Sequence, residues 1–256
     1  MKILTRIQNK VLIIFIIAAT LLSCKSKYQI SKMSATIVAM DSTLDSSPNL
    51  PMQLLVNTYK VDLDKEMNVV IGESEEYMTY KRPESLLTNL TSDVMKAYGD
   101  EFLENGVDLA IMNVHGHRAA MPKGKLTIGN LYEIYSFDNA ITFLELKGSD
   151  LKKIFDAYAI IGGAGISGNV RLTIKNKMVV DVTIDGKTLD ENKLYKIVTL
   201  DYLAEGNDNM QAMKEADKRL NTGITLRDIM IDYINEQTKI GNKISSKLDG
   251  RITIQD

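Results

Sequence analysis

The chain's two histidines, His115 and His117, lie in the stretch NVHGHRAAMPKG (113–124), directly ahead of Arg118. On a strand, residues two apart project to one face, so both imidazoles could in principle share one ion. A zinc site needs three or four ligands. There is no third histidine and the single cysteine is near the N-terminus, so Asp or Glu from unidentified positions would have to complete it. Two imidazoles lining a polar pocket or facing solvent demand less, and no metal site is assigned. Neither a Gly-x-Ser-x-Gly nucleophile elbow nor a Walker loop or Gly-x-Gly-x-x-Gly dinucleotide turn is present. GGAG at 162–165 reads as a hinge. Alone, these residues form no complete catalytic apparatus.

The elements that must position this stretch can be traced from patterning. VDLAIMNV (107–114) reads as a buried strand that delivers Asn113 and His115 to its C-terminal end. Ahead of it, residues 84–106 carry Leu86, Leu87, Leu90, Val94 and Met95 on one face of a helix, bounded by Pro83 and Gly106. MQLLVNTYKVDLDKEM suits a helix and NVVIGES (68–74) a strand, while TIVAM (36–40) reads as a short strand before a loop over 41–51 broken by Pro48 and Pro51. Downstream, Thr127 caps a short helix over Gly129–Ile134, residues 140–148 form a strand, and Ser149 caps a helix to residue 160. RLTIKN and MVVDVTIDG are strands joined by a turn at Asn176-Lys177. LYKIVTLDYLA (194–204) reads as a strand, followed by helical stretches to about 236 and a closing edge strand, RITIQD. Strands and helices mix without strict alternation, which predicts an α+β or layered α/β fold.

Lys2, Arg6 and Lys10 flank an apolar run, VLIIFIIAATLL (11–22), that is short for a membrane span. It ends in LLSC at Cys24, the only cysteine, and is similar to a bacterial lipobox. That likeness implies a signal peptide over 1–23, an acylated Cys24, a tether over 24–35 and a single domain over 36–256. An ordinary signal peptide, or an anchor helix with an incidental cysteine, is the alternative. Paired acyl chains anchor stably, so the lipid membrane is an expected partner. Lys25 rather than an aspartate after the cysteine points to the outer membrane. Removing the leader leaves 28 of the 31 basic residues against 33 acidic ones, a net charge of −5 without a basic cluster. That argues against a nucleic-acid polymer as partner.

Several spaced stretches then fall into order: Asn113-x-x-Gly116-x-Arg118, Gly124-x-Leu-Thr127, Tyr135-Ser-Phe137-Asp-Asn139, Leu146-x-Gly148-x-x-Leu151, Ser167-Gly168, Asp185-Gly186-Lys187, and Tyr195 to Thr199 leading to Asp201-Tyr202-Leu203-Ala204-Glu-Gly206-Asn-Asp208. Over about residues 52–236 the chain resembles the C-terminal domain of the 5′-nucleotidases, a family that includes UDP-sugar hydrolases and 2′,3′-cyclic phosphodiesterases. The resemblance implies an α+β fold of layered α/β/β/α architecture that holds the nucleoside part of a substrate. Phe137 and Tyr202 match the rings that sandwich the base, Asn113 an asparagine facing it, and Arg118 a substrate-binding arginine. Asp208 matches a carboxylate for the ribose hydroxyls. Arg82, or Lys81 with a one-residue ambiguity, matches a further arginine. His115 stands where the family has its first glycine, His117 where it has an aliphatic residue, and Asn207 where it has another glycine, so the ligand pose is open.

Family enzymes carry a metallophosphatase domain N-terminal to this one, with two metal ions that activate water and stabilise phosphoryl charge. Its Asp-, His- and Asn-rich motifs are missing from these 256 residues. The resemblance therefore implies no cofactor on this chain, with divalent metals on a separate metallophosphatase subunit and a nucleoside or nucleotide as ligand. A membrane-tethered nucleotide-binding lipoprotein without a catalytic role, or a degenerate scaffold, are the alternatives.

Overall fold

The computed structural model describes residues 30–46 and 48–255; the leader, Cys24 and the start of the tether lie outside the described residues. The chain divides into two compact units, Met1–Gln53 and Leu54–Asp256, so residues 36–53, read above as the domain's beginning, fall in the first. In that unit the described residues up to 41 are exposed and without regular structure, followed by a 3-10 turn over Ser42–Ser46. TIVAM is not a strand. Its β-branched residues favour a pleated, half-buried surface, and among the described residues no strand pairs with it. Helix α1 (Leu50–Met67) contains Pro51 in its first turn, where the missing N–H leaves no bond unmade. Pro51 therefore opens a helix where the sequence suggested a break.

The second unit continues with β1 (Val70–Ser74), α2 (Leu86–Phe102), β2 (Leu109–Met112), β3 (Gly124–Thr127) and α3 (Ile128–Ile134). Then come β4 (Ala140–Lys147), α4 (Gly148–Ile161), β5 (Gly165–Ile166), β6 (Val170–Lys175), β7 (Met178–Ile184) and β8 (Lys187–Thr188). It closes with β9 (Leu194–Leu200), the single turn α5 (Asp201–Ala204), β10 (Lys218–Thr225), α6 (Leu226–Lys239) and β11 (Ile252–Gln255). This is the expected α+β class. A five-stranded sheet runs β10-β4-β9-β2-β5, a four-stranded one β11-β6-β7-β8, and β1 pairs with β3.

Within the five-stranded sheet β2 and β9 are parallel, and β4 runs antiparallel to β9 with Ile141 opposite Leu200. The C-terminal ends of β2 and β9 and the N-terminal end of β4 therefore share one edge. Helix α2 packs on β2, β5 and β9, burying Leu87, Leu90, Val94 and Met95. Its start is fixed by a capping box, Ser85 with Thr88, which satisfies two otherwise orphaned N–H groups. Helix α4 contacts β4 and β9 as well as β6 and β7, joining the two large sheets.

Four expectations are corrected. Ser149 is not a cap: α4 starts at Gly148, whose N–H donates to the Lys193 carbonyl at 2.8 Å, while the Ser149 N–H donates to the Glu191 carbonyl at 3.0 Å. The segment is so close that a Cβ on Gly148 would lie 2.0 Å from the Asp190 carbonyl oxygen, which accounts for this glycine in the Leu-x-Gly-x-x-Leu stretch. GGAG is no hinge, since Gly162 ends α4 in the left-handed region and Gly163 to Ser167 are buried. Residues 201–204 are helical rather than strand. Lys218–Thr225, expected as helix, is an edge strand paired with β4.

Candidate functional site

The shared sheet edge gathers residues that are far apart in sequence. Asn113 follows β2, Phe137 and Asn139 precede β4, and Tyr202 and Asp208 follow β9. With His115, Gly116 and Arg118 they line one cleft of about 200 Å³. Five of the six expected binding residues thus meet. Phe137 is 49% exposed and Tyr202 40% exposed, so neither ring is a core residue, and both line the cleft. The Arg118 guanidinium lies 5.5 Å from the Phe137 ring centroid, a cation–π contact.

Asp208 organises the floor. Its carboxylate accepts from the Asn113 side-chain amide at 2.6 Å and from the Tyr202 hydroxyl at 3.1 Å. A carboxylate has about four acceptor positions, so it can still accept from a ligand hydroxyl. The accepted bond from Tyr202, with some burial, raises the phenol above its ordinary range. Asn113 Oδ1 is buried against Gly116 with no hydrogen-bond partner among the described residues.

Arg82 stands apart. It lines a neighbouring cavity, also about 200 Å³, with Tyr158, Ile161, Ala164, Leu203 and Met210. Asn113, His115 and Asp208 line both cavities. Arg82 donates to the Gly163 carbonyl at 2.9 Å and lies 3.2 Å from His115 Nε2. It, rather than the exposed Lys81, is the basic side chain that reaches the site.

The two histidines have different surroundings. His115 is exposed at the junction of the cavities. His117 is a core residue: 1% exposed, stacked against Tyr80, with Nδ1 3.0 Å from the Val114 carbonyl and Nε2 2.9 Å from Thr91 Oγ1. That corrects the reading that both line a pocket or face solvent. Among the described residues no three His, Cys, Asp or Glu side chains group as metal ligands.

The unusual residues also fit the backbone. A Cβ on Gly116 would lie 2.6 Å from Asn113 Oδ1 and 2.9 Å from Met112 Cε, so the retained glycine is the one packing requires. His115 and Asn207 do not have positive φ, whereas Gly206 and Asp208 do. Asn207 donates to the Tyr202 carbonyl at 2.8 Å, so it braces the loop instead of straining it. Asn139 belongs to the quoted Tyr135–Asn139 stretch, but its type alone did not distinguish it from a turn residue; its place beside Phe137 puts it in the cleft. The assembled groups can stack a flat ring, accept from hydroxyls and contact anionic oxygens.

Comparison with known proteins gives a concordant picture. The family model for the 5′-nucleotidase C-terminal domain matches residues 70–215. Protein UshA of Yersinia enterocolitica (serotype O:8 / biotype 1B) is 29% identical over 185 residues, covering 71% of this chain and 33% of UshA. A 5′-nucleotidase of Diplobatis ommata is 26% identical over 256 residues, covering 88% of this chain and 43% of its own length. The crystal structure of a 5′-nucleotidase precursor from Thermus thermophilus superimposes with a TM-score of 0.70 at 25% identity, covering 81% of this chain and 44% of that one. The chain therefore spans between a third and a half of the length of these relatives.

Proposed function

The chain belongs to the 5′-nucleotidase C-terminal domain family, and on that premise we propose that it binds the nucleoside part of a nucleotide for a 5′-nucleotidase-type hydrolase in nucleotide catabolism. A separate metallophosphatase polypeptide, with its own divalent metals, carries out the hydrolysis. The observation that carries this reading is the meeting of Phe137, Tyr202, Asn113, Arg118 and Asp208 around one cleft. Stacking on an aromatic ring contributes ~1–3 kcal/mol per base and tolerates any base identity. Asp208, already oriented by Asn113 and Tyr202, accepts from ribose hydroxyls. Arg118 offers a planar fork of donors suited to ribose or phosphate oxygens.

The purified chain, given divalent metal, is expected to hydrolyse neither nucleoside monophosphates nor UDP-sugars nor cyclic nucleotides, as judged by chromatography of the products. Adding a separate metallophosphatase polypeptide of the same organism should bring about hydrolysis. Hydrolysis by the chain alone would contradict the proposal, and binding without hydrolysis by the pair would leave a nucleotide-binding lipoprotein. The proposal includes export to the outer membrane through an acylated Cys24, supported by the LLSC stretch. Labelled palmitate should then be incorporated into the wild-type protein and not into Cys24→Ser, and an unlabelled wild type would refute this part.

A further inference from the structure

The loop that presents Phe137 is five residues long, Tyr135 to Asn139, between the end of α3 and the start of β4. Its grip comes from α6, outside the cleft. Arg227, 8% exposed, donates through Nη1 to the Tyr135 carbonyl at 2.9 Å and through Nη2 to the Asp138 carboxylate. Its guanidinium carbon lies 4.0 Å from the Tyr132 ring centroid. The neighbouring Leu226 N–H donates to the Asn139 carbonyl at 3.0 Å. The fork therefore takes hold of the chain on both sides of Phe137, whose own ring remains half-exposed.

From this geometry we infer that Arg227 is a positioning residue for base recognition, holding Phe137 at stacking distance through Tyr135 and Asp138. The inference rests on the reading of Phe137 as a base-stacking ring. A buried guanidinium loses its hydration, and a Leu or Met of similar volume would cover Tyr132 without that cost. What those residues lack is a rigid fork reaching two acceptors at once. Lysine, with a single ammonium, cannot reproduce it.

The test is a double-mutant cycle read by calorimetric titration of the chain with adenosine. Asp138→Ala removes an exposed carboxylate that pairs with the buried Arg227, and Arg227→Lys changes the fork itself. Each is expected to weaken adenosine binding by at least about five-fold, within the roughly 5- to 150-fold span of one lost stack. In a Phe137→Ala background neither should add more than about two-fold, because the ring they position is gone. Equal losses in both backgrounds, or none beside an intact Phe137, would overturn the inference. Unaltered affinity in Phe137→Ala alone would instead show that the base-stacking reading has failed, and the inference would fall with it. A urea midpoint for each variant separates lost positioning from lost folding.

Discussion

Replacing Arg251 with methionine is expected to lower the unfolding free energy at pH 7 by about 1–3 kcal/mol, the cost of leaving buried acceptors without their donor. Asp93 is half-exposed, so water solvates it in the guanidinium's place. Arg251 is 2% exposed. Its guanidinium donates to both oxygens of Asp93 at 2.9 and 3.0 Å and to both oxygens of Asp249 at 3.0 and 2.9 Å. Nη1 also donates to the Ile166 carbonyl at 2.9 Å. One side chain thus joins α2, β5 and the approach to β11. Methionine fills similar space but leaves two facing carboxylates and a carbonyl without their donor. Burial pushes the Asp249 carboxyl up, but the hydrogen bonds and charge of Arg251 outweigh it and hold the group below its ordinary range. A depressed carboxyl stabilises above its unfolded pKa and loses that contribution as pH falls through its folded value. The gap between wild type and variant should therefore narrow as pH falls below about 4. Urea midpoints at unchanged m-value measure this, and a loss under about 1 kcal/mol at pH 7 would refute it.

Between pH 7 and pH 5 the protein is expected to lose roughly 2 kcal/mol of stability through His117 alone. Burial lowers this imidazole to about 4, against a weaker upward pull from the Val114 carbonyl. The unfolded chain takes up a proton near 6.5, whereas the folded chain refuses it until about 4. The contribution is therefore complete above pH 6.5, declines as pH falls, and levels off below about 4 after a total of roughly 3 kcal/mol. Neutral His117 donates from Nδ1 to the Val114 carbonyl, and its Nε2 lies 2.9 Å from the Thr91 hydroxyl, which is also hydrogen-bonded to the Tyr135 hydroxyl at 2.7 Å. His117→Gln removes the titration and should flatten the slope between pH 7 and 5, even though it lowers stability at both. An unchanged slope in that variant would refute the assignment.

How much of this could be read from the sequence depends on where each constraint is encoded. Helix α2 was legible because its bounding Pro83 and Gly106 and the spacing of Leu87, Leu90 and Val94 are local signals, whereas the Ser85 cap came only from the structure. Strand β10, KRLNTGIT, was not: it is a largely exposed edge paired only with β4, so burial imposes no alternation of apolar residues. TIVAM misled for the opposite reason, having strand propensity without a pairing strand. Asn113, Phe137, Tyr202 and Asp208 were legible only through the family resemblance, because they come from three separate connections that the fold brings to one sheet edge. Arg251 and Arg227 were not, since their partners Asp93 and Tyr135 lie 158 and 92 residues away and no motif links them.

The most direct measurement of the site is a calorimetric titration of the chain with adenosine, run beside Tyr202→Ala and paired with a urea midpoint for each protein. The expected result is saturable binding that the substitution weakens by about 5- to 150-fold. The midpoint should stay close to wild type, because the Tyr202 ring is 40% exposed. Unaltered affinity, or a destabilisation of roughly 3–5 kcal/mol such as core aromatic truncations cause, would contradict a nucleoside site at this cleft.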